Sequence, residues 1–125
     1  MDHRNVALLR QAYQDLDFLK SCLDDEIVLH PAGRSLGAQR LVGTAAVMEY
    51  LYATFDLPDV AVSMDVAQVI ADDTFGAATG VLRATRDDAT ITMPFCGVWR
   101  FAAGRIVEHW ENAYEPAKLA TFFAD

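Results

Sequence analysis

The stretch Phe95-Cys96-Gly97-Val98-Trp99-Arg100-Phe101-Ala102-Ala103-Gly104-Arg105-Ile106-Val107-Glu108-His109-Trp110-Glu111-Asn112-Ala113-Tyr114 decides the fold. Two runs rich in Val, Ile, Phe and Trp flank Ala102-Ala103-Gly104, the pattern of a long antiparallel hairpin with Gly in the tight turn. In the first arm Met93, Phe95, Gly97, Trp99 and Phe101 share one face, a core or pocket wall, while Thr92, Cys96, Val98 and Arg100 share the other. In the second arm strict alternation separates Arg105, Val107, His109, Glu111 and Ala113 from Ile106, Glu108, Trp110, Asn112 and Tyr114. Whichever set turns inward carries an ionisable group with it, a conflict between core patterning and charge that marks a functional position.

Outward from the hairpin, Val60, Val62, Met64, Val66 and Ile70 alternate as a half-buried strand. Asp72-Asp73 turns into a strand over 74–86 whose small residues, Gly76, Ala78 and Gly80, predict a curved or closely covered segment. Asp87-Asp88 turns again into the strand that ends at Phe101. On the N-terminal side, Val6, Leu9, Tyr13 and Leu16 recur at helical spacing, and a second short helical run covers 16–23. Asp24-Asp25-Glu26 is expected to end it before a short strand, Ile27-Val28-Leu29, that stops at His30-Pro31 because proline cannot donate to a ladder. Residues 32–42 lack periodicity and read as a pocket rim. Thr44 is expected to cap a helix whose apolar face includes Val47, Met48, Leu51, Tyr52 and Phe55. Glu115-Pro116 opens a last short helix over 117–123. Helices first and strands afterwards predict an α+β arrangement, with helices covering one face of a strongly bent sheet and leaving a conical cavity.

The 125 residues are 53% apolar, enough for one domain over 1–125 with a full core. A net charge of −8, with ten Lys and Arg spread along the chain, argues against nucleic acid as a partner. Cys22 and Cys96 are far apart and suggest neither a disulfide framework nor a zinc site; they read as reduced core thiols. His3, His30 and His109 show no ligand spacing, so no metal is expected. The amphipathic N-terminal segment is neither a signal peptide nor a membrane span, and a cytoplasmic location is expected.

Val98-Trp99-Arg100-Phe101, Gly104-Arg105-Ile106-Val107-Glu108-His109-Trp110, Val28-Leu29-His30-Pro31-Ala32-Gly33-Arg34-Ser35 and Arg40-Leu41-Val42-Gly43 together resemble the nuclear transport factor two superfamily. Within it the nearest likeness is to the SnoaL-like and ketosteroid-isomerase-like branch. The resemblance covers nearly the whole chain. It implies a cone-shaped, bent antiparallel sheet closed by N-terminal helices, a cystatin-like α+β barrel that is often dimeric, and a scaffold hosting several chemistries. It places His30 where ketosteroid isomerases carry their general base, just before a proline at the end of the first strand, and Tyr13 where they carry an oxyanion donor. Gly97 matches their second donor and has no side chain. His109 and Glu111 take pocket-facing positions, and SnoaL-like cyclases and epoxide hydrolases commonly place an acid near Glu111.

These implications give a catalytic set of His30, Tyr13 and Glu111, with His30 and Glu111 as an acid–base pair across the cavity. The substrate-binding set is Arg34, a rim residue suited to an anionic group, with His109, Trp99, Phe95 and Tyr52. The expected activity is cofactor-independent proton transfer of isomerase, aldol-cyclase or dehydratase type on a small apolar carbonyl compound. The alternative is a non-catalytic binding or assembly module on the same fold. Small and apolar outer positions, Ala61, Ala67, Val69, Ala77 and Val81, predict a homodimer.

Overall fold

The structure, a computed structural model, describes residues 2–124. Helix α1 spans Arg4–Ala12 and stops short of the apolar stripe's end, because Asp15 adopts an extended conformation and caps a second helix, α2 (Leu16–Cys22), by accepting from the backbone of Asp17 and Phe18. Strand β1 (Leu23–His30) is longer than its apolar triplet. Asp24-Asp25-Glu26 do not end the preceding helix; they sit in the strand at a register irregularity between Leu23 and Val28, where no regular cross-strand pairing forces them inward. The expected rim loop holds a 3-10 helix (Ala32–Leu36) and strand β2 (Leu41–Val42).

Helix α3 (Thr44–Phe55) is capped by Gly43 at φ +93°, not by Thr44. As the first helical residue, Thr44 donates its hydroxyl to the Asp24 carbonyl and ties the helix to β1. Strands β3 (Ala61–Ala71), β4 (Phe75–Arg86), β5 (Ala89–Ala102) and β6 (Arg105–Trp110) follow, then helix α4 (Pro116–Ala124). The β5–β6 turn uses two residues with positive φ, Ala103 at 51° and Gly104 at 78°, the mirror-image turn whose twist suits a hairpin.

The six strands form one sheet in the order β2-β1-β6-β5-β4-β3. All neighbours are antiparallel except β1 and β6, which run parallel because α3 and the long hairpins intervene between them. The architecture is the expected α+β, a curved sheet with helices on its concave side. Two irregularities shape it. At Ala67 a bulge lets β3 approach β4 so closely that a Cβ on Gly80 would lie 1.9 Å from the Asp65 carbonyl oxygen. The same bulge inverts the alternation, so Val69, expected outside, packs inward against the core, while Ala61 and Ala67 remain exposed.

The second irregularity resolves the conflict in the last strand. Phe101 pairs with Ile106 and Arg100 with Glu108, leaving Val107 as the extra residue. Ile106 and His109 therefore both face in, at 0% and 5% exposure, although three positions apart.

The core divides into two clusters. Leu9, Leu19, Ile27, Leu29, Val47 and Ile106 join α1–α3 to β1 and β6. Val60, Leu82, Ala84, Met93 and Phe95 lie toward α4, which contributes Leu119, Phe122 and Phe123. Tyr13 packs against both. Among the described residues no helix is long and apolar enough to cross a membrane.

Candidate active site

Between the two clusters lies a cavity of about 740 Å³, walled by the concave sheet, α1–α3 and α4. Its lining is mostly apolar, with two carboxylates, Asp15 and Glu111, and neither Lys nor Arg. Asp15 is engaged as the cap of α2, so the one free acidic group is Glu111.

Glu111 follows the last residue of β6 and keeps the inward direction of His109. Its Oε1 accepts from the Tyr50 hydroxyl at 2.6 Å and from the Ala32 backbone N–H at 3.2 Å. Its Oε2 has no protein partner and opens on the cavity. Burial raises its pKa, because the charged form loses hydration; the Tyr50 and Ala32 bonds and the Arg34 charge only partly offset that.

Tyr13, on the turn after α1, reaches the same space. The Trp99 indole N–H donates to its oxygen at 3.1 Å, and Phe95 and Trp99 hold its ring at centroid distances of 5.8 and 5.7 Å. Gly97 makes this placement possible: a Cβ there would stand 2.0 Å from the Tyr13 oxygen. The absent side chain at 97 is therefore the room that the phenol occupies. Burial pushes the Tyr13 and Tyr50 phenols well above their ordinary value, so both remain protonated donors.

His109 stacks on Trp99, ring centroids 3.4 Å apart and planes within 17°. Its Nδ1 lies 2.9 Å from the Val98 carbonyl oxygen. A carbonyl can only accept, so Nδ1 carries the proton. Desolvation lowers the pKa to about 3, so the ring is neutral and Nε2 is a bare acceptor.

The expected pairing of His30 with Glu111 is not found. The two are bridged only through backbone, Glu111 N–H to the His30 carbonyl at 2.9 Å. His30 is the neighbour of Trp110 across the β1–β6 ladder and stacks on it, on the convex side. There its Nε2 lies 2.6 Å from Glu108, which Arg100 also contacts at 3.1 Å. The cause is the period of two: a strand that turns Leu29 and His109 inward turns His30 and Trp110 outward.

Two expected binding residues are also displaced. Arg34 is exposed and spends its guanidinium on the carbonyls of Pro31 and Glu111 and on the Asn112 side chain, clamping the 3-10 helix to the end of β6 rather than facing a ligand. Tyr52 donates to Asp17 on α2 at 2.5 Å and does not line the cavity. One turn of α3 has three to four residues, so Tyr50 and Thr54 face the cavity while Tyr52 points toward α2. Tyr50 was legible as an i, i+4 partner of Thr54, but the stronger apolar stripe of α3 masked it. Phe95, Trp99, His109, Tyr13 and Glu111 do converge on the cavity.

The SnoaL-like domain profile matches residues 7–109. The chain belongs to the SnoaL-like domain family. Among solved structures, this SnoaL-like chain is similar to a nuclear transport factor two-like protein of unknown function from Burkholderia pseudomallei, at 20% identity and TM-score 0.80, covering 98% of this chain and 99% of that one. It is similar also to an LEH-like epoxide hydrolase of M. tuberculosis, at 17% identity and TM-score 0.66, covering 97% and 92%. TerC, crystallised with polyporic acid, matches at 16% identity and TM-score 0.72, covering 93% and 95%. At these identities the likeness is one of fold. No curated protein matches the chain.

Proposed function

We propose that this SnoaL-like chain is a single-domain, cofactor-independent enzyme that moves a proton on a small apolar carbonyl compound, in an isomerase, aldol-cyclase or dehydratase reaction. The observation that carries this reading is Glu111: one oxygen is fixed by Tyr50 and Ala32, the other faces the cavity, and burial raises its pKa above the ordinary carboxyl value, the direction that suits a carboxylate to general acid–base work. Glu111 takes a proton from the carbon next to a carbonyl, the C–H electrons pass to the carbonyl oxygen, and the protonated carboxyl returns its proton at the same or a conjugated carbon. Tyr13 donates a hydrogen bond to the oxygen on which charge develops. Phe95 and Trp99 contribute apolar walls, and the cavity volume suits a small-molecule ligand. Hydrolysis in one structural neighbour and polyporic acid in another agree with a scaffold for small organic substrates.

The test is deuterium exchange. Ketones and lactones incubated with the protein in heavy water should gain deuterium at the carbon next to the carbonyl, and Glu111→Gln should abolish that gain. Ligand-dependent thermal stabilisation without exchange would replace the enzyme with a binding module on the same fold.

The chain is further assigned to the cytoplasm, where two unpaired cysteines persist, and to a homodimer. Ile70, Phe75 and Val81 are 71%, 50% and 46% exposed on the convex sheet, and a second copy would cover them. A monomer by sedimentation at micromolar concentration contradicts the dimer.

A further inference from the structure

We propose that Tyr13 and His109 form a directional donor–acceptor pair that selects a β-hydroxy ketone: the Tyr13 hydroxyl donates to the ketone oxygen while Nε2 of His109 accepts from the ligand hydroxyl. This deepens the acid–base reading by naming the substrate class, and rests on that reading.

Each direction follows from a partner already in place. Tyr13 oxygen receives the Trp99 N–H, and Trp99 has no other polar hydrogen on its ring, so that bond consumes a lone pair and leaves the phenol proton unused. His109 spends its ring N–H on Val98, which leaves Nε2 as a lone pair alone. The two groups do not bond to each other, although both lie beside Gly97: a Cβ built there would meet the Tyr13 oxygen at 2.0 Å and His109 Cε1 at 3.2 Å. Both line the cavity. A ligand group therefore meets one obligate donor and one obligate acceptor, side by side, in an apolar wall. A simple ketone satisfies only the first and leaves a nearly buried imidazole nitrogen unpaired. An ether oxygen presents a lone pair to a lone pair. A hydroxyl on the carbon beyond the one next to the carbonyl satisfies both, and an unpaired polar group in such a site is what makes discrimination strong. No Lys or Arg lines the cavity, so the site is suited to this uncharged pair of oxygens rather than to a carboxylate.

Binding is measured on Glu111→Gln, where no turnover intervenes, by calorimetry with three probes: the aldol adduct of acetone and benzaldehyde, its O-methyl ether, and benzylacetone, which lacks the hydroxyl. The hydroxy ketone should bind about tenfold more tightly than either of the others. His109→Phe keeps the stack on Trp99 but removes the acceptor, and should erase the preference; Tyr13→Phe should weaken all three probes alike. Nitrogen NMR of His109 in the otherwise unaltered Glu111→Gln protein guards against a variant that misfolds. Nε2 should respond to the hydroxy ketone and not to the ether. Equal affinity for the alcohol and the ether, no binding of the alcohol at millimolar concentration, or an Nε2 signal indifferent to it overturns the proposal. A preference for the alcohol in a protein whose exchange assay is silent supports the pair and removes the acid–base step, so the two readings fail separately.

Discussion

Two histidine–carboxylate sets lie around the last strand, one on each side of the sheet, and they differ in almost everything but residue type. On the convex side His30 and Arg100 each contact one oxygen of Glu108, half-buried, so that both carboxylate oxygens are occupied. On the concave side His109 and Glu111 lie in the cavity, each with one polar atom spent on the protein and one left open. Burial alone would raise the Glu108 pKa, yet the hydrogen bonds and charges of His30 and Arg100 together outweigh it and hold the carboxyl below its ordinary value. Glu111 lacks an equivalent ion pair, and burial prevails. Chemistry is available where partners are missing, not where charges are most numerous.

The largest expected effect separates the two sides by activity. Glu111→Gln removes a general acid–base and should cost about 10²- to 10⁴-fold in exchange rate, whereas Glu108→Gln and His30→Gln should each stay within about threefold, as measured on one ketone. A loss at His30 equal to that at Glu111 breaks the comparison and returns His30 to the site.

Next in size is Gly97→Ala. Its methyl group would displace the Tyr13 hydroxyl from between Trp99 and the sheet, where rigid aromatic neighbours leave little slack, at a cost of about 1–3 kcal/mol in urea unfolding. On the convex side of the same strand Cys96→Ala removes no such contact and should shift stability by less than about 0.5 kcal/mol.

How much of this the sequence disclosed depends on how local the determinant is. Hairpin arms, helix stripes and the order of elements are written in neighbouring residues, and the α+β cone followed from them. Phe95 and Trp99 were legible from the alternation of β5 and Tyr13 from the stripe that continues α1, whereas His109 and Glu111 were placed inward by the family resemblance, the alternation alone leaving both faces open. His30 was not, since its face is fixed by the parallel pairing of β1 with β6, a contact between residues far apart in the chain. Arg34 and Tyr52 were assigned to the cavity by type and stripe, while hydrogen bonds to Glu111, Asn112 and Asp17 decide their directions. The bulge at Val107, which lets Ile106 and His109 share a face, leaves no mark in the residue pattern.

A smaller effect sharpens the contrast through the sign of a pH dependence. A raised carboxyl pKa such as that of Glu111 contributes stability below the unfolded value of 4.5, and this is lost as pH rises through the higher folded value. Glu111→Gln should therefore have a higher Tm than the parent at neutral pH, with the gain vanishing in acid. A lowered one such as Glu108 contributes stability above 4.5, and this is lost as pH falls through the folded value. Glu108→Gln should lower the neutral-pH stability by up to about 1 kcal/mol, the size expected of a half-exposed ion pair. Differential scanning calorimetry from acid to neutral pH checks both signs.

The central claim is that these two carboxylates, three residues apart, stand in opposite electrostatic settings. Titrating the side-chain carboxyl carbons by NMR in the ligand-free protein tests it most directly. Glu111 should titrate above the ordinary carboxyl value and Glu108 below it; coincident midpoints, or the reverse order, contradict the account.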